Sequence, residues 1–595
     1  MRAALQHHFI KFRIRYFNNR KSCRYIHSSS ITLSSSQSKN NEAAFPSAIT
    51  FLTDVEGDGH YFDRFIHHSE ILGFRSIQPM FGAYKKGNWN FGTRDPEYFP
   101  YDKEVVFLDD GTIENKNSML VYGGDIWDKG GADFYVIRQL LSLHTRYPSR
   151  VHFIMGNRDI NKLRIVDELD FGETKRLPKH KGVYWLRGTG LPGDPEKPLD
   201  SSKMTETAAE RLKWMLRGTM GSVDAFELRR QELQRERLAV MNGQSAFSTQ
   251  ECSEHETICE EIIVSDDDVA KSYLHSCNPN LGLMSQYLSH AKLMIRFGSV
   301  IFLHGALPTI EANSFPLPWI DPQSDKSVGH ETLAEWIDDL NDFASDQITN
   351  WKEFGKAKQP RDAQEDFWAS KGGYSNTSSG GKLFGNLLQY GMNTLPDKSK
   401  NQSVVYNSWM RDGMPRKELF SLDEQSWLEN LFAKEGLQLI LSGHQPVGDA
   451  PWPIQLSNNK WVLPCDTSFS GDVCWTSAEK ASLGRGSRPN GRGEVAVSET
   501  LITCCQRTGK LKSVKIHGCL SDGSHYEINN LLDVDDKHIG RPLLKKLSYT
   551  GKDTKEVNTT DFWVKAKIGQ DYLLSAGKGF HVWNSLLDHN GLKGM

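Results

Sequence analysis

The sequence predicts an α/β fold, and three observations lead there. Short apolar runs of strand length recur along the 595 residues, and several end in a small polar cluster. The stretch from Ser118 to Met155 reads strand, helix, strand, which is a βαβ unit. The polar clusters fall where strands end, and α/β sheets build their sites just beyond the carboxyl ends of their strands.

Ala48–Thr53 (AITFLT) reads as a short buried strand ending at Asp54. Ser118–Tyr122 is a second strand and runs into GGDIWDKGG. Asp133–Arg146 has helical spacing, with Phe134, Ile137, Leu140, Leu141 and Leu143 crowding one side. Val151–Met155 is a third strand and runs into GNRD. Residues 160–290 interrupt this alternation. They hold helix candidates at Thr205–Arg217 and Asp224–Met241 and the acidic stretch SEHETICEEIIVSDDD, and read as a mostly helical insertion. Ser299–Leu303 is a further strand, ending at His304. Residues 310–400 are polar and read as a second insertion. Their loop KGGYSNTSSGGK is no Walker loop, because Leu follows the Gly-Lys and no strand precedes it. Ser421 and Glu424 form a capping box that opens a helix through Lys434, with Trp427, Leu428, Leu431 and Phe432 on its apolar face and Gly436 at its end. Leu437–Ser442 is a strand ending at Gly443 and His444, and Val462–Pro464 leads into Asp466. Val495–Cys505 and Leu511–Gly518 alternate like antiparallel edge strands. Residues 521–595 form a C-terminal extension whose role the sequence does not disclose.

Composition narrows the function classes. Hydrophobic content of 38% and charged content of 24% are those of a soluble globular chain. Five Arg, three Lys and no acid stand in the first 41 residues, so a formal net charge of −3 becomes −11 for the remainder. A negative body argues against a nucleic-acid-binding surface. No run approaches the ~18–20 apolar residues that span a bilayer. The basic, serine-rich, acid-free N-terminus has transit-peptide composition. Residues 1–45 are expected to carry a mitochondrial address, with a plastid as the alternative. The nine Cys are scattered without a CxxC, which reads as free thiols and not as a zinc ribbon or disulfide scaffold.

The polar residues that follow strands are Asp54 and Glu56 in TDVEGD, Asp125 in GGDIWDKGG, Asn157 in GNRD, His304 in FLHGALP and His444 in SGHQPVGD. A lone Asp after a strand often caps a helix, and a lone His is more often a satisfied structural residue than a ligand. Six in chain order are hard to explain that way. The order resembles the calcineurin-like metallophosphoesterase superfamily. It is most similar to the phosphoprotein phosphatase branch, whose signatures read GDxHG, GDxVDRG, GNHE, HGG and a late His. The likeness spans roughly residues 48–470, with large insertions.

The resemblance implies a metallophosphoesterase-type β-sandwich flanked by helices over residues 46–520, with insertions at about 160–290 and 310–400. It implies two divalent ions, Mn2+ above all, with Mg2+, Fe or Zn2+ as alternatives. Asp54, Glu56 and Asp125 would hold the first, and Asp125, Asn157, His304 and His444 the second. It implies hydrolysis of a phosphoric monoester, such as a phosphoprotein, by in-line attack of a metal-bound hydroxide. Asp128 and Lys129 match an Asp-Arg pair, with Lys129 as a phosphate-binding cation. Arg411 in NSWMRDG stands for a second phosphate arginine. Two departures matter. Glu56 replaces a His ligand, which shifts the site toward harder metals, and His60 is a reserve ligand. Arg158 replaces the His that protonates the leaving alcohol, which leaves Asp128 and Arg158 as the catalytic pair without an evident acid. A phosphodiesterase or nucleotide hydrolase is the alternative within the fold, although Pro446 stands where a GHxH ending would have its second His. A pseudophosphatase binding module is the alternative outside enzymes.

Overall fold

The computed structural model describes residues 45–82, 91–108, 117–169, 207–218, 220–247, 263–309, 315–318, 330–356, 385–392, 403–416, 419, 422–457, 459–468, 495–533, 538–543, 547–549, 557–560, 562–578 and 581–587. The expected transit segment before Phe45, the acidic stretch up to residue 262, the loop at 371–382 and the Ser421 cap lie outside them.

The chain alternates strands and helices as expected, with bounds displaced by a residue or two. Its first half holds β1 (Ala48–Leu52), α1 (Gly59–His68), β2 (Met119–Tyr122), α2 (Asp133–Arg146) and β3 (Val151–Ile154). The first insertion follows with α3 (Ala208–Gly218) and α4 (Ala225–Asn242). Then come β4 (Ala291–Lys292), β5 (Met294–Phe297), β6 (Val300–Leu303) and α5 (Leu333–Lys356). The body closes with α6 (Leu422–Glu435), β7 (Leu439–Ser442), β8 (Ile454–Ser457), β9 (Lys460–Pro464), β10 (Val497–Cys504), β11 (Leu511–Cys519) and β12 (His525–Ile528). A C-terminal sheet is made of β13 (Arg541–Pro542), β14 (Trp563–Ile568), β15 (Asp571–Lys578) and β16 (His581–Leu587).

Two mixed sheets carry the body. The first runs β12-β11-β10-β1-β2-β3-β4, and the second runs β8-β9-β7-β6-β5. β1, β2, β3 and β4 are mutually parallel, as are β6, β7 and β9. Alternation along each strand sends one set of side chains between the sheets. Ile49, Phe51, Val121 and Ile154 of the first sheet share a core with Val300, Phe302, Leu439, Leu441 and Leu463 of the second. The rings of Phe51 and Phe302 meet across it at 5.6 Å. Leu52, Leu120 and Phe153 face the other way, into a core shared with α1 and α2. This is a sheet-on-sheet sandwich with helices outside.

The second insertion, expected as a polar connection, holds the 24-residue helix α5. Its buried residues Leu333, Trp336, Leu340, Ala344, Ile348 and Trp351 recur every three or four positions. Acids between them make the segment average out as polar, which hides the stripe.

Candidate metal centre

The carboxyl ends of β1, β2, β3, β6, β7 and β9 meet at one end of the sandwich, and each leads into a motif residue. The backbone there is strained. Among the described residues seven that are not glycine have positive φ, and five of these are Asp54 (51°), Glu56 (52°), Asp125 (53°), Asp128 (103°) and His444 (73°). Such conformations persist only where the surroundings over-determine them, and they cluster at functional sites. Neighbouring loops supply that constraint. Asp54 N donates to Gly124 O (3.0 Å), Glu56 N to Asp125 O (3.1 Å) and Gly443 N to His304 O (2.8 Å). Two glycines are required by close approach. A Cβ at Gly443 would fall 2.0 Å from Asp54 Oδ2, and one at Gly156 would fall 2.1 Å from Asp125 Oδ1.

Asp54, Asp125 and His304, all buried, bring ligand atoms within 4.8 Å of one another. His304 Nε2 lies 3.5 Å from Asp125 Oδ1 and 3.1 Å from Asn157 Oδ1. His444 Nδ1 lies 3.0 Å from the same Asn157 oxygen. Each histidine is oriented from behind. His304 Nδ1 donates to Gly123 O at 2.8 Å, which fixes a proton there and turns Nε2 toward the site. The His444 ring is hydrogen-bonded to the Tyr406 backbone. An amide oxygen and two imidazole lone pairs therefore face one another beside two carboxylates. Neutral, they are all acceptors, so the arrangement is held together either by a cation among them or by a second proton on a ring.

The charges agree. Burial and then the repulsion of Asp466 push the Asp54 carboxyl well above the usual range. Burial opposes ionisation of Asp125, but His304, Arg158 and His444 outweigh it and hold its carboxyl below the usual range. Burial would lower His304, yet Asp125 and Asp54 raise it to about 10. Burial and then the charge of His304 push His444 down to about 3. The cluster holds positive charge even when a ring must supply it. Oxygen and imidazole donors of this kind suit a divalent ion such as Mn2+, Mg2+ or Zn2+.

Glu56 sits beside this cluster with its two oxygens in different roles. Oε1 pairs with Lys129 Nζ at 2.9 Å and with Arg158 Nε at 3.0 Å. Oε2 is buried and has no hydrogen-bond partner. A buried carboxylate oxygen without a partner is costly, and a metal ion is one way to satisfy it. Lys129 and Arg158 thus form a cation pair that faces Glu56. Burial and then Arg158 push the Lys129 ammonium down to about 8. Arg158 is held at several points: its backbone N–H donates to Asp125 Oδ1 (2.9 Å), and its Nη1 donates to Met220 O and Ser222 Oγ (both 2.9 Å).

The Asp128 side chain pairs with Lys162, both fully buried, and Lys162 also donates to Arg158 O at 3.0 Å. Asp128 braces the chain below residue 158 and does not hold the Arg158 guanidinium. His60 lies on α1, its ring centroid 5.4 Å from that of Phe247 of the insertion and tilted to it by 49°, behind Asp58, which caps that helix. Arg411 is exposed on the ribbon Met410–Arg411/Met414–Pro415.

Sequence reasoning passed over three supports. The Asp159 carboxylate accepts from Asp125 N, Ile126 N and Gly156 N at 2.8–3.0 Å and ties two motif loops together. Its place in GNRD was the available signal. Asp466 is the charge that repels Asp54 most, and its position just after a strand marked it in the same way as the others. Ser222 gave no signal, because its segment carries no motif.

No protein-family model matches the chain, and no curated protein matches it. Among solved structures, a cold-active protein-tyrosine phosphatase of a psychrophilic Shewanella species is similar at TM-score 0.31 and 11% identity, covering 81% of each chain. A protein serine/threonine phosphatase from Saccharomyces cerevisiae is similar at TM-score 0.24 and 9% identity, covering 77% of this chain and 72% of its own. These likenesses are distant.

Proposed function

We propose that the chain is a metal-dependent phosphoric monoester hydrolase of the calcineurin-like metallophosphoesterase type. One observation carries the reading: His304 Nε2, His444 Nδ1 and Asn157 Oδ1 converge beside Asp125. In this reading Asp125, Asn157, His304 and His444 hold one ion, and Asp54 with Glu56 Oε2 serves a second. Such ions supply Lewis acidity and a nucleophile at neutral pH when bound. Mn2+ is the proposed metal, and a phosphoprotein of Ser/Thr type is the proposed substrate class. Residues 1–45 are proposed to direct the protein to mitochondria.

The remaining steps fall to the protein's own groups. Arg158 and Lys129 lie side by side next to the cluster, where they can bind the substrate's phosphoryl oxygens. Arg158 stays protonated at neutral pH and cannot serve as the acid. Its anchored guanidinium is suited to stabilising charge that develops on phosphoryl oxygens. The test is to purify the protein, measure bound metal, and screen phosphopeptides, aryl phosphates, nucleotides and phosphodiesters with Mn2+ added. Turnover of monoesters supports the reading. A preparation that binds metal but hydrolyses only diesters or nucleotides refutes the substrate class, and one that binds no metal refutes the mechanism.

A further inference from the structure

The loop that follows His444 is gripped from one side by the C-terminal sheet. Lys565 in β14, 1% exposed, donates from Nζ to Val447 O and, at 3.0 Å, to Ala450 O. The same ammonium lies 4.1 Å from the centroid of the Trp452 ring. Trp563 Nε1 donates to Pro453 O at 2.9 Å. Val582 of β16 lies against Gly448, where an added Cβ would meet its Cγ1 at 2.8 Å. From another side Ser521 donates its N–H and its hydroxyl to the two carboxylate oxygens of Asp449, both at 2.8 Å.

We propose that the C-terminal sheet is a clamp that positions His444, and that Lys565 is the positioning residue at its centre. His444 sits at φ 73°, in the left-handed region that a histidine holds only under constraint. Two residues, Gln445 and Pro446, separate it from Val447, the first carbonyl that Lys565 grips. On its other flank the loop is held by the body, with His444 N on Asp54 (3.1 and 3.2 Å) and Val447 N on Asp466 O (2.8 Å). The segment is fixed from two directions, and only one of them belongs to the sandwich. Burying an ammonium is unfavourable, and an apolar chain would fill the same volume without that cost. What the lysine adds is two N–H donors for two loop carbonyls. The link from His444 to a metal rests on the proposed function, whereas the grip on the loop does not.

The test uses full-length Lys565→Met and Trp563→Phe, with two readouts: hydrogen exchange of the loop amides, and Mn2+ binding by titration calorimetry. In Lys565→Met the amides of residues 444–450 should exchange ~10-fold faster while those of β7 stay unchanged. Mn2+ affinity should fall ~10-fold, the low end for changes behind a ligand. In a His444→Ala background the same substitution should leave Mn2+ affinity where it was, since the ligand it acts through is gone. Trp563→Phe, which removes the other β14 donor to the loop, the one to Pro453 O, should give the same pattern at smaller size and stands in if Lys565→Met does not fold. Unchanged loop exchange in these variants overturns the clamp. An equal loss of Mn2+ affinity with and without His444 overturns the link to His444. A loosened loop in a protein whose wild type binds no Mn2+ supports the clamp and refutes the metal reading.

Discussion

The two sides of the site are built in different ways. On the sheet side, Asp54, Asp125 and His304 project from strand ends, and hydrogen bonds between adjacent loops hold the backbone of the two aspartates in strained conformations. On the other side, Arg158 and the His444 loop are fixed in large part by segments appended to the sandwich: Met220 and Ser222 in the first insertion, Lys565 in the C-terminal sheet. The difference separates two tasks. The sandwich decides where the ligands are, and the appended segments decide how the cation and the late histidine are aimed. Substitutions on the sheet side should therefore remove the chemistry, while those in the appended segments should degrade it.

The largest effect belongs to the sheet side. Asp125 lies beside His304 and Arg158 and accepts the Arg158 N–H. Asp125→Asn should lower hydrolysis by more than the ~10–100-fold typical of residues behind a ligand. Steady-state rates with Mn2+ check this, and near-normal turnover would mean that the cluster is misassigned. Next comes Arg158→Ala, expected to reduce kcat by ~10²–10³-fold, as for loss of a donor to developing charge. Arg158→Lys should not restore it, because Nε serves Glu56 while Nη1 serves Met220 and Ser222, and an ammonium lacks that fork. A lysine that restored the rate would reduce Arg158 to a bare charge.

A smaller effect, ~10-fold in kcat with KM little changed, is expected for Ser222→Ala, with rescue by Ser222→Thr. Equal losses in the two variants would show that Ser222 matters for packing and not for aiming Arg158. Smallest is a pH trend in stability. Burial pushes Lys565 to about 7 from an ordinary 10.5, despite the attraction of Asp449. Between those values the unfolded chain holds the proton and the folded one does not, so this group makes stability rise with pH. Its destabilising contribution is fully present below pH 7 and gone above 10.5. Lys565→Met should remove that slope in denaturant melts from pH 6.5 to 9.5, and parallel curves for the two proteins would contradict it.

What could be read in advance follows the same division. The strands were legible because buried strands are continuous apolar runs, and the candidate ligands because each such run ends in a polar residue. Asp54, Asp125, Asn157, His304 and His444 do come together. Glu56 was legible as a position, but its double use by Lys129 and Arg158 was not, since ion pairing depends on side-chain direction. The pairing of Asp128 with Lys162 was hidden for a related reason: a likeness of motifs transfers positions and not partners. Ser222 and Lys565 lie 64 and 118 residues from the groups they hold, at Arg158 and Val447, on segments without a motif, so no local pattern could mark them. α5 was missed because acids alternate with its buried stripe.

The most direct measurement is a crystal structure of the protein grown with Mn2+, with anomalous difference maps collected near the manganese edge. The account predicts a peak within bonding distance of Asp125, Asn157 Oδ1, His304 Nε2 and His444 Nδ1, and its loss in Asp125→Asn. A map without a peak there, with the Asn157 amide nitrogen turned to donate to the two imidazoles, would show that those groups satisfy one another and that the cluster is not a metal centre.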